Sequence, residues 1–225
     1  EKDTQLYSSL QEELYNTQIL RSCSQTYREL IPTGLASGTD TSLICAFIGF
    51  CHTNMAHTHP DSYDLEGVMR AFHNHLDITL QLVKLFRVRF DPTLVQREPE
   101  YSELLAETEQ MIEQYNTGRR FLYKYRRRIF NRALLSISYP LKTNFFVPEK
   151  HALAFRLDPV YLEKLGGDFI SDLPAERPFR VTYFYGRYGA GYHIGFSDIA
   201  RGGWRTLITQ GRDDYVTAAN TVFKE

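Results

Sequence analysis

The chain has 225 residues, 43% of them hydrophobic and 24% charged, with a formal net charge of -1 at pH 7. That length suits one large or two modest domains, and fifteen Phe and fifteen Tyr argue for a packed core and against a disordered chain. The balanced charge gives no global pull toward nucleic acid or an acidic membrane surface, and the longest apolar run, Leu43 to Cys51, falls far short of the ~20 residues that span a bilayer.

The first half reads as helical. Leu6, Leu10 and Leu14 recur at helical spacing, Leu20, Tyr27 and Leu30 extend the stripe, and Ile31-Pro32-Thr-Gly34 ends it. Asp40 or Thr41 is expected to cap a second helix, which carries Phe47 and Phe50 toward His57 and stops by Pro60. A third, from about Tyr63 to Phe86, is closed by Asp91-Pro92. A fourth runs from Ser102 to Tyr115, Asn116-Thr-Gly118 interrupts it, and Phe121 to Leu134 resumes the period. After Tyr139-Pro140 the period becomes two. Strands are expected over Lys142–Phe146, Ala152–Asp158, Arg180–Tyr185 and Tyr192–Asp198, with a fifth near Thr206–Thr209, a helical turn or two at Val160–Leu165 and a helix over Asp213–Glu225. The expected fold class is therefore α+β: an all-helical domain over 1–136, then a mixed or antiparallel α/β region over 137–225.

The segment Gly191-Tyr-His-Ile-Gly-Phe-Ser-Asp-Ile-Ala-Arg-Gly-Gly-Trp-Arg205 carries the chemistry. It reads as a half-buried strand running into a cationic, glycine-softened turn, where Gly202 and Gly203 let a ligand approach the backbone. Arg201 supplies a planar two-pronged donor suited to a carboxylate or phosphate. The structural alternative pairs Arg201 with Asp198 or a helix end. Arg205 is read as orienting the loop or pairing with an acid behind it.

Several segments in order resemble one family. Phe196-Ser-Asp-Ile-Ala-Arg-Gly-Gly-Trp-Arg205 is similar to the DIARGG segment of the large NAD-dependent glutamate dehydrogenases. Lys142-Thr-Asn-Phe-Phe146, Lys150-His-Ala-Leu-Ala-Phe-Arg-Leu-Asp-Pro159, Pro178 to Arg187 and Leu85-Phe-Arg-Val-Arg-Phe-Asp-Pro92 resemble further segments of that family. So do Tyr215 and Asn220-Thr-Val-Phe-Lys-Glu225, with Lys224 where an acid is usual. The resemblance covers roughly the C-terminal three fifths. It implies that the α/β region is the first part of a substrate-binding and oligomerisation domain, that Arg201, Gly202 and Gly203 contact the side-chain carboxylate of L-glutamate, and that Arg205 and Asp198 support them. It implies NAD as the cofactor of the full-length enzyme, L-glutamate and 2-oxoglutarate as its substrates, other domains of the same polypeptide as partners, and a homo-oligomer. The family's catalytic lysines and dinucleotide-binding domain lie beyond Glu225, so this chain is expected to be a piece of a longer polypeptide, inactive alone, with no catalytic residue, cofactor site or metal site of its own.

Competing readings attach to other residues. Gly186-Arg-Tyr-Gly-Ala-Gly191 has the wrong glycine spacing for a dinucleotide loop and reads as a hairpin. Arg119, Arg120, Lys124 and Arg126-Arg-Arg128, with Tyr123 and Tyr125, could face RNA. The structural alternative is a solvated helix face, neutralised by Glu100, Glu103, Glu107, Glu109 and Glu113 or docked on another part of the enzyme. His52, His57 and His59 lack zinc spacing and read as a surface cluster at a helix end, and His73 and His75 as a similar pair that do not face each other. Cys23, Cys45 and Cys51 read as buried thiols. With no targeting pattern in the first residues, a reducing compartment is expected, cytoplasmic or the mitochondrial matrix. Neither nucleic acid nor membrane is expected as a partner. The alternative function is a regulatory or oligomerisation module without catalytic residues.

Overall fold

The computed structural model describes residues 4, 6–8, 10–11, 24–56, 62–116, 118–148, 150, 152–165, 177–186, 189–196 and 202–208. Helix α1 (Ser24–Leu30) passes into a 3-10 turn at Ile31–Thr33, and Gly34, at φ 69°, turns the chain out in a left-handed conformation that favours glycine. Helix α2 (Gly38–Met55) is capped one turn earlier than expected. Ser37 accepts from the Asp40 backbone N–H, and Asp40 reaches back to the Ser37 N–H, a reciprocal pair that satisfies two otherwise open donors. Leu43, Ile44, Ala46, Phe47, Ile48, Phe50 and Cys51 are all buried, so α2 is enclosed on every side.

The third expected helix is two. Helix α3 (Leu65–His73), capped by Asp64, and α4 (Leu76–Phe90) are separated by Asn74 and His75. His75 leaves helical geometry (φ -133°, ψ 65°), and the Thr79 hydroxyl donates to the Phe72 carbonyl, satisfying an acceptor that the break opens. Helix α5 (Arg97–Gln114) ends before Gly118, at φ 74°, whose N–H is held by the Asn116 side chain. Helix α6 (Arg120–Ser138) follows.

The chain then enters β1 (Pro140–Thr143), β2 (Ala152–Leu157), a 3-10 turn at Pro159–Lys164, β3 (Arg180–Gly186), β4 (Gly189–Gly195) and β5 (Gly202–Ile208). These form one antiparallel sheet in the order β1-β2-β3-β4-β5. The α+β class is borne out, and the change of period near 136–140 falls where α6 gives way to β1. The first strand lies earlier than expected, because Phe145 and Phe146 sit in a turn. Residues 213–225, expected as a helix, lie outside the described residues.

Alternation sets the sheet on the helices. Phe155, Leu157, Val181, Tyr183 and Tyr192 are buried on one face. Phe50 of α2 meets Tyr183 edge-on at 5.2 Å between ring centres and Tyr192 at 6.3 Å. Phe86 of α4 meets Phe145 at 5.2 Å and Phe155 at 5.9 Å. Helices and sheet thus close on a shared apolar core.

Candidate functional site

The expected site surrounds the junction of β4 and β5. Gly202 and Gly203 do not form the turn; they open β5, pairing with Gly195 and Ile194. The displacement has a visible cause. The apolar alternation Tyr192, Ile194, Phe196 continues past the end of β4 at Gly195, so it read as a longer strand, yet Phe196 is 51% exposed. Arg205 stands opposite Tyr192 in the same ladder. Arg201 and Asp198 lie outside the described residues, so Arg201 is placed only by sequence, immediately before Gly202. Two glycines facing Gly195 and Ile194 leave a strand start without side chains, where a ligand can come within reach of the backbone.

The face of the sheet turned away from the helices is basic, a feature that sequence reasoning missed. Across the strands Lys142 pairs with Arg156, Arg156 with Thr182, Thr182 with His193 and His193 with position 204. The next row is Arg180, Gly195 and Gly202. The signal was available in the alternation, since Arg156, Arg180 and His193 all occupy the polar phase of their strands. Burial, then Arg180 and Arg156, depress the His193 pKa, and burial followed by Arg180 depresses that of Arg156.

Under the opposite face lies a buried polar group. The Asn54 amide donates to the Phe50 carbonyl (2.7 Å) and to the Tyr192 hydroxyl. Tyr192 also bonds Tyr161, and burial raises the pKa of both phenols, so they stay neutral donors. The Arg132 guanidinium, held to the Leu165 carbonyl at 2.8 Å, borders this group.

The other candidates resolve into packing. Arg126 bonds Tyr115 and His75, and Arg127 donates to the Tyr115 carbonyl at 2.8 Å. Those bonds tie α6 to the end of α5 through an aromatic pair, an arrangement beside the glutamate-neutralised face and the docking contact that the sequence offered. His52 is half-buried and depressed in pKa by burial, with Asp64 opposing, so it does not belong to a surface cluster. His57 and His59 lie outside the described residues. His73 bonds the Thr26 hydroxyl at 3.0 Å, and His75 sits 2.6 Å from the Tyr115 hydroxyl, the two imidazoles serving different neighbours. Cys45 and Cys51 are buried thiols; Cys51 donates to the Ile129 carbonyl at 3.4 Å, and burial pushes its pKa up. Cys23 lies outside the described residues. Gly186 pairs with Gly189, so the glycine-rich stretch is the expected β3–β4 hairpin. Among the described residues no His, Cys, Asp or Glu group could hold a metal ion, and no helix is long and apolar enough to cross a membrane.

Comparison with known proteins gives partial matches. The chain is 37% identical over 98 residues to the NAD-specific glutamate dehydrogenase of Saccharomyces cerevisiae, covering 43% of this chain and 8% of that protein. It is 38% identical over 98 residues to the NAD-specific glutamate dehydrogenase of Neurospora crassa, covering 44% and 8%. Glutamate dehydrogenase 2 of Dictyostelium discoideum is 35% identical over 97 residues, covering 43% and 9%. The shared stretch thus spans less than a tenth of the length of these relatives. No protein-family model and no solved structure matches the chain.

Proposed function

The chain belongs, through the stretch it shares with these relatives, to the family of NAD-specific glutamate dehydrogenases, and from that premise we propose that it contributes part of the substrate-carboxylate site of such an enzyme. In this reading the enzyme oxidises L-glutamate to 2-oxoglutarate and ammonium. Arg201 grips the side-chain carboxylate through parallel N–H donors, Gly202 and Gly203 keep the strand start clear, and Arg205 and Asp198 support the loop. NAD would supply the hydride acceptor for that oxidation in the whole enzyme. The residues described here do not fit a dinucleotide: the glycine-rich stretch at 186–191 joins two antiparallel strands, whereas a dinucleotide needs a glycine loop between a strand and a helix. We assign NAD binding, and the proton-transferring lysines, to other parts of the polypeptide. Residues 137–225 are then the first part of the substrate-binding domain, preceded by a helical domain over 1–136, and the full-length enzyme is a homo-oligomer.

The observation that carries this reading is the side-chain-free opening of β5 directly after Arg201. Holding the substrate in a reactive orientation lowers the barrier by several kcal/mol in well-positioned sites. Arg201→Ala in the full-length enzyme is expected to raise the KM for glutamate by at least about tenfold, since one charge-assisted bidentate contact contributes about 1.5–3 kcal/mol. An unchanged KM removes Arg201 from the site. The 225-residue chain alone is expected to reduce no NAD with glutamate, and measurable reduction would overturn that division of labour.

A further inference from the structure

The end of β4 that leads toward Arg201 has few anchors of its own. The β3–β4 hairpin closes at Gly186 and Gly189, at the opposite end of both strands. Near the exit Gly195 and its ladder partner Gly202 have no side chains, Gly203 stands opposite Ile194, and Phe196 is exposed. The β4–β5 ladder also shifts register between Ala190 and Gly191, and glycine-rich strands hold their register weakly. Tyr192 supplies the hold. Its ring is buried against Phe50 and Tyr183, with ring centres at 6.3 and 5.3 Å. Its hydroxyl accepts from the Asn54 amide on α2, 138 residues away in the chain, and bonds Tyr161 of the 3-10 turn. The same Asn54 amide donates to the Phe50 carbonyl at 2.7 Å, so it cannot follow a displaced strand without losing a partner. Three segments distant in sequence thus meet on one phenol close to the end of β4.

We propose that Tyr192 and Asn54 are positioning residues for the substrate-carboxylate site: their bond fixes the height of the β4–β5 junction over α2, and with it the place of Arg201; this rests on the function proposed above. Apolar contacts tolerate small slides. A buried amide and phenol are satisfied at one geometry, and leaving either unpaired costs the desolvation of a polar group. Tyr192 stands opposite Arg205 in the ladder, so a shift of the phenol passes through backbone pairing to the strand that Arg201 enters. A displacement on the order of 1 Å in a group that holds substrate is enough to cost up to ~100-fold in rate. A second phenol offers the contrast. The Tyr183 hydroxyl donates to the Ala46 carbonyl at 3.2 Å and seats the same helix, but on β3, a strand that does not lead to Arg201.

The test uses the full-length enzyme, with glutamate oxidation kinetics, 2-oxoglutarate binding by calorimetry and urea midpoints measured side by side. Tyr192→Phe, which removes one oxygen and keeps the ring, is expected to raise the KM for glutamate at least about threefold, to weaken 2-oxoglutarate to match, and to lower kcat less. Asn54→Leu, close in shape, should do the same from the other end of the bond. Tyr183→Phe should lower the urea midpoint and leave KM at the parent's value; an equal rise in KM there reduces the effect to general loosening and overturns the proposal. In an Arg201→Ala background Tyr192→Phe should raise KM by less than about twofold further, because a residue that acts through Arg201 has nothing left to position. Full multiplication of the two effects refutes it. If Tyr192→Phe and Asn54→Leu both keep the parent's KM while Arg201→Ala does not, the positioning role is refuted and the proposed function stands. If Arg201→Ala itself binds and turns over normally, the proposed function falls and this role with it.

Discussion

At the scale of single residues, Asn144 explains why the Lys142–Phe146 segment has the composition it does. Its backbone N–H donates to the Ala154 carbonyl at 3.3 Å, while its side-chain Oδ1 accepts from the Ala154 N–H at 2.8 Å and its Nδ2 donates to the Ala152 carbonyl at 2.9 Å. One side chain thus continues the β1–β2 ladder into the turn that places Phe145 against Phe86. Replacing Asn144 by Ala strips two β2 backbone groups of their partners, which costs about 1–3 kcal/mol. Asn144→Asp keeps the acceptor but sets a negative oxygen against the Ala152 carbonyl, so it should be nearly as damaging. A urea midpoint unchanged in both variants would show that the ladder does not depend on this side chain. The sequence flagged the segment as a strand and by likeness but did not reveal this bond, because a hydrogen bond across the turn leaves no periodic trace. Arg201 is the reverse case: the sequence suggests a carboxylate-gripping role from a guanidinium before two glycines, and did not reveal the strand that those glycines open.

Elements were legible where one force dominated. The helical stripes and the period-two strands were placed to within a few residues because burial writes its period into the sequence. The break between α3 and α4 was hidden, because Phe72, Leu76 and Leu80 keep a spacing of four straight across it. What opens the helix there is His75 turning toward Tyr115 and Thr79 bonding back to Phe72, neither of which alters the apolar pattern. The seating of α2 on the sheet was equally silent. Gly49 brings the helix so close to β3 that a Cβ there would lie 2.8 Å from the Tyr183 hydroxyl and 3.0 Å from Tyr185 Cδ2. That hydroxyl donates to the Ala46 carbonyl at 3.2 Å one turn away. Gly49→Val is therefore expected to push the sheet from the helix and break this bond, costing about 1–3 kcal/mol by overpacking even though valine replaces a poor helix former. Tyr183→Phe in the same background should restore part of the loss by removing the atom in closest conflict. If Gly49→Val melts at or above the parent temperature, the close approach does not set the packing of α2.

The whole molecule carries its acid sensitivity in histidines on several elements. His52 on α2, His73 at the end of α3, His75 at the break and His193 on β4 all have pKa values depressed below the ordinary 6.5, with burial the leading cause in each. Nearby acids oppose the shift at three of them, Asp64 at His52, Glu29 at His73 and Asp77 at His75. Arg126 reinforces it at His75, as do Arg180 and Arg156 at His193. A depressed histidine binds fewer protons in the folded chain than in the unfolded one. The stability it protects is thus complete above the unfolded value and is lost as pH falls below 6.5 toward the lower folded value. All four act with the same sign, so stability should decline as pH falls below about 6.5, ahead of most carboxylate protonation. The joint at His75 should contribute a distinct share, because protonating its Nε2 sets a new N–H against the Arg126 donor and the Tyr115 hydroxyl it now meets. His75→Gln, which keeps a neutral acceptor there, is expected to flatten that decline while leaving stability near neutrality close to the parent's. Urea midpoints across this range decide it, since equal slopes for parent and variant would mean that the α5–α6 joint does not sense protons.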